Sequence, residues 1–186
     1  FSANGWTGTL LFPTLTTQSG SPYDAYDISM NSSLGELQSL WDMLYREVNR
    51  CNAAVTRAAA VIGMVDSVKN TRIGEAKFLR SLSFFWAVQQ WGDIPMPLTE
   101  TTTGSLTVKK TAAKDVYTQI ITDLNDAIAK LPVAQKDAGR VTKGAAQFLL
   151  ARVYLTRGWN FNNSLGGSLE DFKIPLQFCD TLIDYG

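Results

Sequence analysis

There is no histidine in these 186 residues. Its absence removes the Ser–His–Asp and Cys–His schemes of nucleophilic catalysis and the His-based metal sites. Two cysteines, Cys51 and Cys179, are too few for a metal set, and each sits in a helical pattern. They read as two small buried thiols, with a disulfide between them the alternative. Charge is sparse as well: charged residues make up 18% of the chain, below the ~25% of an average protein. Seventeen basic residues balance seventeen acidic ones. No basic excess is left for nucleic acid or for an anionic membrane surface. No run reaches the ~18 apolar residues of a spanning helix, and neither GxGxxG nor a phosphate-loop pattern occurs. No cofactor is implied.

What is present is apolar and helical. Hydrophobic residues make up 45%, enough for one self-sufficient core in a chain of this length. The chain opens at Phe1 and stops at Gly186, just after an apolar helical pattern. It is therefore expected to be part of a longer protein, read as one helical domain: 1–33 irregular, 34–186 helical hairpins.

Residues 1–33 carry Thr, Ser, Gly, Asn, Pro13 and Pro22 and show no helical period. Helix one follows, with Ser33 and Glu36 as a capping box. Leu37, Leu40, Trp41, Leu44, Tyr45, Val48 and Val55 form its apolar stripe. Helix two opens near Asn70 or Thr71, runs to Trp91 and stops at Gly92. Its stretch Leu82–Val88 is apolar nearly all round, which predicts burial on several sides. Helix three takes Thr111 as N-cap and Asp115 in its first turn, and ends at Pro132. Helix four runs from near Thr142 to Gly158 and is also apolar on more than one face. A fifth helix spans Leu176 to Tyr185. In each of two successive pairs an amphipathic helix precedes a deeply apolar one. The fold expected is all-α, built of degenerate tetratricopeptide-like hairpins behind an irregular N-terminal segment; the regular ~34-residue period is absent.

Paired carboxylates are the one catalytic route left open. Glu75, Asp93, Glu170 and Asp171 are the candidates, and a glycosidase needs two of them ~5–9 Å apart. The plainer reading has Glu75 anchoring a helix start, Asp93 turning a loop, and Glu170 with Asp171 as a solvated pair. Aromatics outside the helices suggest binding instead. Trp6, Tyr23 and Tyr26 are interleaved with Asn4, Asp24, Asp27 and Asn31. Flat rings offer a stacking surface to C–H-rich sugar faces, and amides and carboxylates bond the hydroxyls. The candidate ligand residues are Trp6, Tyr23, Tyr26 and Asn31; the alternative is that the rings cap the helical core. Trp159 and Phe161, beside Asn160, Asn162 and Asn163, form a second cluster.

Glu75-Ala76-Lys77-Phe78-Leu79-Arg80-Ser81-Leu82, running into Gly92-Asp93-Ile94-Pro95, resembles the "EAxFLRA…GDIP" signature of the SusD/RagB family. Leu40-Trp41, Tyr45, Asn49 and Asn52 are similar to that family's "W…Y…aN" helix. Asp115-Val116-Tyr117, Asp123-Leu124, Gly139 to Ala146 and Leu149 to Leu155 resemble its next helical pair. The ordered set covers Leu40 to Leu155. It implies a non-catalytic outer-membrane protein that binds glycan or another nutrient at the cell surface. It also implies a TonB-dependent transporter (SusC-like) as partner, and a lipid anchor on a cysteine absent from this chain. The shared motifs read as structural, with Phe78, Leu79 and Phe85 packing and Gly92 to Pro95 turning the chain. Two readings stay beside this one: a helical-repeat scaffold with a protein partner, and a carbohydrate-active enzyme.

Overall fold

A computed structural model describes residues 31, 35–102, 109–160 and 164–184. The chain divides into two compact units, Phe1–Met43 and Leu44–Gly186. Among the described residues five helices follow one another: α1 Gly35–Ala60, α2 Asp66–Trp91, α3 Ala113–Lys130, α4 Lys143–Gly158 and α5 Lys173–Asp184. A short 3₁₀ turn, Leu169–Phe172, leads into α5. Among the described residues strand is limited to β1, Ile94–Pro95, and β2, Lys110–Thr111. They pair antiparallel, Ile94 opposite Thr111 and Pro95 opposite Lys110. The fold is all-α, of tetratricopeptide-like hairpins, as the helical periods predict.

Three helix ends differ from expectation. α2 begins at Asp66, five residues before Thr71. Asp66 lies in the first turn, where its carboxylate meets the positive end of the helix dipole. Thr71 is already inside, its hydroxyl donating to the Ser67 carbonyl at 2.8 Å. The N-cap of α3 is Ala112, not Thr111. Ala112 has no side chain that could cap, and the Asp93 carboxylate does the work from outside, accepting from the Ala113 amide at 2.9 Å. α5 starts at Lys173 rather than Leu176. The other ends follow the sequence: Thr142 caps α4 by accepting from the Ala145 amide, and Gly92 closes α2 at φ 68°. The Ser33–Glu36 capping box, Tyr185 and the Cys179 thiol lie outside the described residues.

In the larger unit α2 packs on α3, α3 on α4 and α4 on α5. The core is aliphatic and aromatic: Val48, Phe84, Phe85, Val116, Tyr117, Ile120, Leu124, Leu150 and Val153 are all buried. Phe85 meets Tyr117 edge-to-face, ring centroids 6.2 Å apart. Trp86, beside Phe85 in sequence, is only half-buried. α4 also departs from expectation. Leu149, Leu150 and Val153 face inward, but Phe148 is 58% exposed and Leu155 45%. Its apolar surface is thus wider than the contact its neighbours provide.

Candidate functional site

The quoted motifs converge on one buried polar network. Tyr45, Asn49 and Asn52 stand at i, i+4 and i+7 of α1 and so share a face. That face clasps the extended chain after α2. Tyr45 donates to the Pro95 carbonyl at 2.6 Å. Asn52 donates to the carbonyls of Pro97 at 2.9 Å and Thr99 at 3.0 Å. Asn49 accepts from the Thr101 amide at 2.7 Å. An irregular segment has no ladder to satisfy its backbone, and these side chains supply the partners.

Arg80 crosses from α2 into the same network. Its Nε and Nη2 bond the two oxygens of Asp123 on α3, each at 2.8 Å. Nη1 donates to Asn52 Oδ1 at 2.7 Å and to the Leu98 carbonyl at 3.3 Å. Arg80, Asn52 and Asp123 are all buried. The planar fork of arginine fits a carboxylate with two parallel bonds, which a lysine could not do. Sequence reasoning gave the motif's weight to Phe78, Leu79 and Phe85 and passed over these polar members. The signal was there: Asp123 sits between Ile120 and Ala127 on the inward face of α3, a charge at a core position.

The four carboxylates weighed for catalysis are all engaged in structure. Glu75 takes two bonds from Arg140, at 3.0 and 2.9 Å, one from Gln135 at 3.0 Å and one from Arg72 at 2.9 Å. It does not anchor a helix start; it lies well inside α2 and ties it to the α3–α4 connection. Asp93 caps α3. Glu170 pairs with Lys173 on the surface. Asp171 is no solvated partner of Glu170: it is buried and holds Arg157 through two bonds, at 2.6 and 2.7 Å. Cys51 is a free, buried thiol, and burial together with the nearby Glu47 carboxylate pushes its pKa up to about 12. It is inert as a nucleophile at neutral pH. Among the described residues no cluster of His, Cys, Asp and Glu is fit to hold a metal ion.

Of the four expected ligand residues, Asn31 alone is described, in an exposed bend. Trp6, Tyr23 and Tyr26 lie outside the described residues. The second aromatic cluster is partly visible. Trp159 caps the C-terminus of α4, 69% exposed, and with Leu155, Thr156 and Phe172 lines an open groove of about 330 Å³.

A family model described as "starch-binding associating with outer membrane", SusD-like, matches residues 11–155. The chain belongs to the SusD-like family. A SusD-like protein of Bacteroides ovatus is 30% identical over 144 residues, 75% of this chain and 26% of its own length. SusD-like protein P2 of Formosa agariphila is 30% identical over 142 residues, 75% of this chain and 28% of its own. This chain thus spans about a quarter of the length of the curated relatives it matches. Among solved structures, a SusD superfamily protein from Parabacteroides distasonis superposes with a TM-score of 0.79 at 27% identity, over 89% of this chain and 34% of that one. A laminarin-binding SusD-like protein gives 0.62 at 31%, over 70% and 28%. A structure described as holding a xylogluco-oligosaccharide gives 0.72 at 27%, over 87% and 32%. The Asn52–Arg80–Asp123 network lies inside the span that the family model matches.

Proposed function

We propose that this protein binds a glycan at the outer membrane and hands it, uncleaved, to a TonB-dependent transporter. The observation that carries this reading is membership of a starch-binding, outer-membrane-associated family. Two solved relatives named for glycans, laminarin in one and a xylogluco-oligosaccharide in the other, support it. The chemistry of the chain agrees. Glu75, Asp93 and Asp171 are each engaged in bonds that tie parts of the fold together, and Glu170 pairs with Lys173 on the surface.

In this reading the 186 residues form one helical domain of a longer lipoprotein, anchored by lipid on a cysteine outside this sequence and displayed at the cell surface. Trp6, Tyr23, Tyr26 and Asn31 contribute the ligand site, the rings stacking on sugar and Asn31 bonding hydroxyls. The test is titration of the full-length protein against laminari- and xylogluco-oligosaccharides, with chromatography of the recovered sugars. Saturable binding with every sugar intact is expected. No binding across a broad glycan panel would remove the glycan reading and leave a protein-interaction scaffold. Shortened products, lost on replacing Glu75 or Asp93, would make the protein an enzyme.

A further inference from the structure

We draw no further inference here: the strongest candidate, the apolar turn at residues 61–65 between α1 and α2, where Ile62 is 98% and Val65 66% exposed, carries nothing because nothing in the structure shows what covers it.

Discussion

Arg80 of α2 and Asp123 of α3 are joined by two parallel bonds of 2.8 Å, with side chains only 5% and 1% exposed. Burying a charge pair gains little against a well-packed apolar pair, because both ions lose their water. Removing one member is different, since the other is left charged and buried without its two-bond partner. Arg80→Met or Asp123→Leu is expected to lower stability by about 3–5 kcal/mol. The double variant, Arg80→Met with Asp123→Leu, is expected to recover part of that loss. Urea denaturation measures both. A double variant as unstable as the sum of the singles would show that the two residues do not act as a pair.

Adjacent aromatics on α2 are expected to behave differently. Phe85 is 1% exposed and packed edge-to-face on Tyr117, so Phe85→Ala is expected to cost about 3–5 kcal/mol. Trp86 is half-buried, and its truncation is expected to cost distinctly less. Equal shifts in urea midpoint for the two variants would contradict this ordering.

The contrast shows what the sequence could and could not carry. Helix existence, order and inward stripes were legible because 3.6-residue periodicity is written directly in residues such as Val116, Ile120 and Leu124. The family motif was legible for the same reason of local spacing. Illegible were the features that depend on a partner far along the chain. Asp93 capping α3 is one, because nothing near Ala112 announces an acceptor twenty residues away. Arg157 gripping Asp171 is another, since acidic residues beside each other in sequence look solvated until the fold aims one inward. The half-burial of Trp86 is a third, because an apolar run does not say which member faces the next helix. The expected ligand loop gave composition only, and Trp6, Tyr23 and Tyr26 await a test of their own.

A pH dependence follows from Asp126 on α3. Burial pushes its carboxyl pKa upward, but hydrogen bonds from Lys130 and Lys77 outweigh that and hold it below the usual value. Lys77 lies 2.9 Å from its Oδ2. A carboxylate whose folded pKa is depressed stabilises the fold fully above its unfolded value, ~3.9, and the contribution fades as pH falls through the lower folded value. Asp126→Asn is therefore expected to be less stable than wild type at neutral pH, with the gap closing below about pH 4. Urea midpoints of the two proteins between neutral and acid pH report it. A gap that stays constant on acidification would mean that Asp126 contributes by packing and not by charge.

The ligand site proposed for the N-terminal segment yields the last prediction. Trp6, Tyr23 and Tyr26 lie among Asn4, Asp24, Asp27 and Asn31, a mixture of flat apolar faces and short polar groups. Sugar recognition needs both: C–H faces to stack and hydroxyls to bond. Each stacked ring is worth about 1 kcal/mol, so removing two weakens binding by roughly tenfold or more. The Trp6→Ala/Tyr23→Ala double variant is expected to show that loss against laminari- and xylogluco-oligosaccharides, with an unchanged melting curve. Equal affinity would move the site off this segment. Equal loss of affinity and stability would show that the rings cap the helical core, and a ring that packs against the core is not free to meet a sugar.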